Sequence, residues 1–216
     1  MKLAKGSVSW IISSSIICVI FLALFLIFEK ESIAIFFITF FLIFLLITIF
    51  FVYFFRDPDR TIGKGLVSSA DGRIREITDY TDEDIGKCVK ISTFMNVNNV
   101  HVNRCPYEGV VKQLVHKKGS HIPAYKKESE RNERVIILLD TNIGKIKIIQ
   151  IAGLIARRIV SYVKPGDRLK KGDKIGIIRL GSRVDLFIPK SKIKKITIQK
   201  GCKVIAGEDT VATLND

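Results

Sequence analysis

From Ser7 to Phe28 the chain runs for 22 residues without a charge, and from Ser32 to Phe55 for a further 24. At about 1.5 Å rise per residue, either stretch is long enough as a helix to cross a hydrocarbon core of roughly 30 Å. Only Glu29-Lys30-Glu31 separates them, which predicts a helical hairpin with a very short turn. A cleaved signal peptide is the poorer reading. The first stretch exceeds the usual apolar region, lacks a small-x-small cleavage site and is followed by a second span. Beyond residue 65 the pattern changes to short β-branched runs between glycines and charged turns. Examples are Val110-Val-Lys-Gln-Leu-Val115, Val135-Ile-Ile-Leu-Leu139, Ile146-Lys-Ile-Ile-Gln-Ile151 and Ile193-Lys-Lys-Ile-Thr-Ile198. Such runs predict mainly antiparallel β structure. Segments 163–176 and 201–211 place glycines where strands must reverse tightly, in the manner of a barrel-sandwich hybrid. The expected architecture is therefore mainly β. Two N-terminal transmembrane helices (spans about 7–28 and 32–55) make an anchor of residues 1–55, and a β-rich domain with barrel-sandwich-hybrid-like features follows over 56–216.

Composition sharpens this division. Twelve of the 14 Phe lie in the first 55 residues, whereas residues 56–216 hold 32 basic against 19 acidic residues, a net +13. That charge calls for an anionic partner. Few aromatics accompany it, so a base-stacking platform has little support and no nucleic acid is expected. With an anchor at hand, the anionic face of a membrane is the simpler partner. Lys2 and Lys5 flank one end of the hairpin and Arg56, Arg60 and Lys64 the other. The positive-inside bias then puts the protein in the cell membrane with its β-rich domain facing the cytoplasm. The four cysteines form no C-x-x-C pair, so neither disulfides nor a zinc site are expected, and no metal. His116 and His121 read as surface-loop residues. The polar run from Gly119 to Arg134 reads as an exposed loop or a short solvated helix.

Two places carry candidate chemistry. In Asn98-Asn-Val-His-Val-Asn-Arg104 the valines alternate with polar residues, so a strand there would bury Val100 and Val102 and set His101 within a polar row. An imidazole so placed can act as a base near neutrality, although a structural role is the commoner one. Asp71-Gly72 reads first as a turn, and Asp71 gains interest only if it orients His101. The dipeptide Gly181-Ser182 recurs as Gly6-Ser7 and Gly119-Ser120, so it has no meaning outside its context.

In context these residues match a known family. Phe54-Phe-Arg-Asp-Pro58 with Arg60, Ala70-Asp-Gly72, Asn99-Val-His-Val-Asn-Arg104 and Asn132-Glu-Arg134 occur in order. Gln150-Ile-Ala-Gly153, Ala156-Arg-Arg-Ile159 and Gly181-Ser-Arg183 with Asp185 and Pro189 follow. The chain resembles the short, membrane-anchored form of phosphatidylserine decarboxylase found in bacteria and archaea, including the archaetidylserine enzymes. It departs from the family at Ser69, where a proline is usual.

The resemblance implies a self-processing carboxy-lyase. Ser182 would attack the Gly181 carbonyl, breaking the chain into a β chain of residues 1–181 and an α chain of residues 182–216 that remain associated. It implies a covalent pyruvoyl cofactor formed from Ser182, with neither pyridoxal phosphate nor metal. That cofactor would form a Schiff base with a serine phospholipid and release the ethanolamine lipid. His101 is implied as the acid/base group and Asp71 as the residue orienting it. Arg157 and Arg158 are candidates for the substrate carboxylate or phosphate, with ion pairing as their alternative. A homo-oligomer is left open. The competing reading from another class is a membrane-anchored barrel-sandwich adaptor or scaffold without chemistry.

Overall fold

The two charge-free stretches form the helices α1 (Val8–Ile27) and α2 (Ala34–Phe54). Phe21 of α1 stacks on Phe40 and Phe44 of α2, and Trp10 meets Phe51 edge-on. The Thr48 hydroxyl donates to Ser14 Oγ at 3.0 Å, a polar clasp between otherwise apolar helices. Ile12, Val19, Ile35 and Leu46 are more than half exposed. Water would penalise such a surface, while lipid accepts it. Both helices are long and apolar enough to cross a membrane. A two-residue strand β1 (Lys2–Leu3) pairs with β2 (Arg56–Asp57), which ties the start of the hairpin to its end.

The computed structural model describes residues 2–120, 131–153, 158–179 and 182–215. Gly181, Arg157 and the stretch 121–130, which includes His121, lie outside the described residues. Residues 1–58 and 59–216 make two compact units.

The second unit is built from strands, as the alternating runs predict. Strands β4 (Gly72–Asp82), β5 (Gly86–Met95), β7 (Gly109–Lys117), β8 (Arg134–Thr141) and β9 (Gly144–Ala152) belong to one antiparallel sheet. It also holds β11 (Arg168–Leu169), β13 (Ser182–Pro189) and β15 (Lys203–Val204), in the order β11-β7-β8-β9-β13-β5-β4-β15. A three-stranded sheet contains β10 (Ile159–Ser161), β12 (Lys174–Ile178) and β6 (Val102–Arg104), with β12 in the middle. A further one joins β14 (Ile193–Ile196), β16 (Thr210–Leu214) and β3 (Leu66–Val67). Ile74, Ile91, Ile137, Ile148, Val184 and Leu186 share one core with Ile175 and Ile178 of β12.

Three details depart from the pattern-based expectation. His116 lies in β7 rather than in a loop, because Gly109–Lys117 pairs with β8 through to Arg134. The strand after Asn98 begins only at Val102, and residues 100–105 are buried on both faces, so the polar row is interior. The outer face of the large sheet is also buried along its middle strands. Lys90, Lys147, Arg183 and Asp185 are each under a tenth exposed, and the long stems of the three cations cover the strands. Opposite charges make this tolerable: Arg183 Nη2 is 3.0 Å from Asp185, and Lys147 Nζ 2.6 Å from Asp82.

Candidate active site

Ser182 opens β13 and is fully buried between Met95 of β5 and Ala152 of β9, its register partners. Its hydroxyl points at the Met95 sulfur, 3.2 Å away. A thioether is a weak acceptor, so this contact holds Oγ in place without binding its proton tightly. Met95 also receives Asn103 Nδ2 at 3.6 Å, and Gln150 Nε2 donates to Asn103 Oδ1 at 2.7 Å. A neutral amide pair thus backs the serine. Gly176 allows this approach: a Cβ there would stand 2.8 Å from the Val160 carbonyl and 3.0 Å from Gln150.

His101 is fully buried just before β6. Its Nδ1 lies 2.9 Å from the Asn99 carbonyl. A carbonyl only accepts, so the proton of the neutral ring sits on Nδ1 and Nε2 is the basic nitrogen. The backbone carbonyl of His101 receives the Ile178 amide at 3.4 Å. Strand β12 then leads within four residues to Ser182. The β6–β12 ladder thus sets His101 beside Ile178, a residue far from it in sequence.

Asp71 is buried at the turn into β4. Its Oδ2 is 2.9 Å from Arg60 Nη2, and its Oδ1 accepts the Ala206 amide at 2.8 Å. Burial pushes its carboxyl above the usual range, while the Ala206 amide, the Arg60 charge and the Val100 amide pull it back. The last contact places Asp71 one peptide from His101. Gly72 must be glycine for close approach, since a Cβ would meet the Phe94 carbonyl at 2.2 Å. Arg60 also reaches Glu208 at 3.4 Å. Asp71 and Arg60 therefore bind the segment after Ser182 as well as their own.

Arg158 precedes β10 and is exposed, and the Arg179 amide donates to its carbonyl at 3.3 Å. Sequence reasoning missed Met95 and Arg60 as neighbours of these residues, along with Asn103 and Gln150. All but Met95 lie in motifs already singled out, so position in a motif was the available signal. Cys105, the buried thiol near β6, is no rival nucleophile: burial pushes it up to about 12, so it stays protonated. Among the described residues, no group of three His, Cys, Asp or Glu side chains is placed to hold a metal.

A family model described as phosphatidylserine decarboxylase matches residues 47–212. The chain belongs to the phosphatidylserine decarboxylase family. An archaetidylserine decarboxylase proenzyme of Methanococcoides burtonii is 42% identical over 213 residues, covering 97% of this chain and 95% of the relative. A protein of the same name from Methanosarcina mazei is 38% identical over 99% of this chain and 98% of its own length. A phosphatidylserine decarboxylase proenzyme of Streptomyces avermitilis is 45% identical over 157 residues, 72% of this chain and 70% of the relative. The protein is thus a decarboxylase, and the adaptor reading falls away. Within this family the motif residues Asp71, His101 and Ser182 are all buried.

Proposed function

We propose that this decarboxylase cleaves its own chain between Gly181 and Ser182, then converts a serine phospholipid, phosphatidylserine or archaetidylserine, to the ethanolamine lipid. One observation carries the reading: the strand held to His101 at Ile178 precedes by four residues a buried serine whose hydroxyl, among the described residues, has a thioether as its partner. In the first step Ser182 Oγ adds to the Gly181 carbonyl carbon as His101 Nε2 takes its proton. The Gly181–Ser182 C–N bond breaks, leaving an ester and a free amine on residue 182. Loss of the Ser182 Cα proton expels the Gly181 carboxylate. Addition of one water then releases ammonia and leaves a pyruvoyl group at the head of the α chain. The residues around Ser182 fit that group. It occupies less space than the serine it comes from, and neutral Met95, Asn103 and Gln150 leave a ketone uncharged.

When formed, the pyruvoyl group supplies a carbonyl that condenses with an amine and an electron sink for the pair left by departing CO2. His101 then handles protons a second time, and burial of the site favours loss of a charged carboxylate. Asp71 acts as a positioning residue, holding the peptide before His101. Residues 182–216 contribute β13, β15 and β16 to sheets with the remainder, so the two chains stay joined after cleavage. The hairpin tethers the domain to the membrane, and the basic residues at both its ends face the domain to the cytoplasm. The archaeal relatives matching nearly the whole chain support an ether-lipid substrate, which presents the same serine headgroup.

Intact-mass analysis of the purified protein tests the proposal. Two chains split before residue 182, the smaller blocked to N-terminal sequencing, are expected. A single intact chain in a preparation that releases CO2 from the lipid sinks it.

Arg60 gives a second test. Without Arg60 the Asp71 carboxyl loses its counter-charge and its pKa rises further. If ionised Asp71 is the working form, the acid limb of the cleavage rate in Arg60→Ala moves to higher pH, by roughly one unit or more. The variant should cleave about tenfold more slowly than wild type on the acid side and nearly normally at alkaline pH. An unchanged pH profile removes the ionised carboxylate from the mechanism.

A further inference from the structure

Asn132-Glu-Arg134 takes no part in the reaction steps, yet Asn132, two residues before β8, is 1% exposed. Its amide Nδ2 donates to the Ala152 carbonyl at 2.8 Å. The Ala152 amide donates in turn to the Glu133 carbonyl at 2.9 Å. Two neighbouring residues of the motif thus hold both backbone groups of Ala152. That residue ends β9 and is the register partner of Ser182, which opens β13. The N–H and C=O of one strand residue point to the same side, so those of Ala152 turn toward the β8 side and away from Ser182. Ala152 and Ser182 therefore form a non-hydrogen-bonded pair, the type with Cα atoms about 4.5 Å apart and the closer side chains.

A rung at the end of a strand is where a ladder opens most readily. The backbone groups of Ala152 do not tie it to Ser182, so its place beside the serine is set from the β8 side. The clamp is itself braced. Ser120 Oγ donates to Asn132 Oδ1 at 3.3 Å, and the Ser120 amide to the Arg131 carbonyl at 2.9 Å. Gly119 permits that approach, because a Cβ there would stand 2.2 Å from the Arg131 carbonyl oxygen and 2.5 Å from the Asn132 carbonyl carbon. The Gly119-Ser120 dipeptide thus buttresses Asn132. A carbonyl only accepts, so Nδ2 faces Ala152 and Oδ1 faces Ser120. An aspartate of the same shape would keep the Ser120 contact but set an acceptor against the Ala152 carbonyl.

We infer that Asn132 is a positioning residue for self-cleavage: by clamping Ala152 it keeps Ser182 aligned on the carbonyl that it attacks. This rests on the self-cleavage reading above. Asn132 acts through Ala152 and not by chemistry of its own, since a neutral amide supplies no proton to these steps. A displacement of about 1 Å at the reacting atoms is enough to slow such a step by about 10²-fold.

Asn132→Asp and Asn132→Gln are compared with the wild type as full-length chains made in a cell-free system with detergent, and chain splitting is followed by intact mass. The Asp chain, alike in shape but without the donor, should split about 10²-fold more slowly than the wild type. The Gln chain keeps a donor on a longer arm, so its rate should fall between the two. Splitting of the Asp chain at the wild-type pace, or faster than the Gln chain, overturns the inference. Backbone hydrogen exchange in the uncleavable Ser182→Ala chain reads the clamp without any cleavage. Adding Asn132→Asp should speed exchange at the Ala152 amide by roughly tenfold or more, while Ile137 of β8 and Ile148 of β9 keep their protection. Unchanged exchange at Ala152 overturns the inference, and so does equal acceleration at all three, which marks a general loss of stability. Failure of the wild type to split, by contrast, sinks the self-cleavage reading, while the exchange measurement still decides whether Asn132 holds Ala152.

Discussion

Ser182→Ala is expected to run as one uncut chain and to release no CO2 from serine lipids. The substitution removes a single oxygen from a fully buried position, with no change to the backbone of β13. The lost contact is a hydroxyl on a thioether, worth no more than about 1 kcal/mol. The fold and thermal stability should therefore remain close to those of the uncut wild type. The chemistry should vanish entirely, because the oxygen that attacks Gly181 belongs to this side chain, and without the ester it forms no elimination can generate the ketone at Cα of residue 182. Gel electrophoresis and mass spectrometry read the first effect, and trapping of CO2 from carboxyl-labelled lipid reads the second. Release of CO2 by this variant at any substantial rate would show that residue 182 is not the cofactor source. A Ser182→Cys chain offers a finer comparison: a thiol attacks through a thioester, so slow cleavage is expected where the alanine chain gives none.

His101→Ala should slow cleavage by about 10² to 10⁴, the usual contribution of a positioned general base. The imidazole is fully buried and its Nδ1 is held by the Asn99 carbonyl, so the ring has one orientation and one basic nitrogen. Alanine also opens a cavity beside Val102, which confuses loss of base with loss of packing. His101→Gln separates them, since it fills much of the volume and keeps a polar tip but cannot take a proton. Both variants should cleave slowly, with Gln the more stable on heating. The time course of chain splitting after synthesis in a cell-free system measures this directly. Cleavage at the wild-type pace in His101→Gln would remove the imidazole from the first step.

Other features were visible along the chain to different depths. The helices were plain because 22 and 24 uncharged residues have few other fates, and α1 and α2 fall within those stretches. Strands β7, β8 and β9 follow their β-branched runs, because alternation and β-branching are local properties. His116 was misplaced because its neighbours Lys117, Lys118 and Gly119 look like a turn, while strand pairing with β8 extends β7 over them. The buried face carrying Lys90, Lys147, Arg183 and Asp185 was not visible either. Charge normally marks an exposed position, and only knowledge of each cation's partner shows otherwise.

The candidate site divides along the same line. By itself the sequence determined the two long apolar helices, the β-rich class and the ordered motifs that single out Asp71, His101 and Ser182. Those are matters of composition, period and residue identity, and no partner is needed to read them. Tertiary structure alone decided what each group touches. It put the Asn99 carbonyl rather than a carboxylate on His101 Nδ1, gave Asp71 to Arg60 and the Ala206 amide, and set Met95 under the Ser182 hydroxyl. It also opposed Arg158 to Arg179 across a ladder. The physical reason is that hydrogen bonds and charge pairs depend on strand register between segments far apart in the chain, 135 residues for Asp71 and Ala206. Register is settled by packing the whole core at once, not by any stretch read alone.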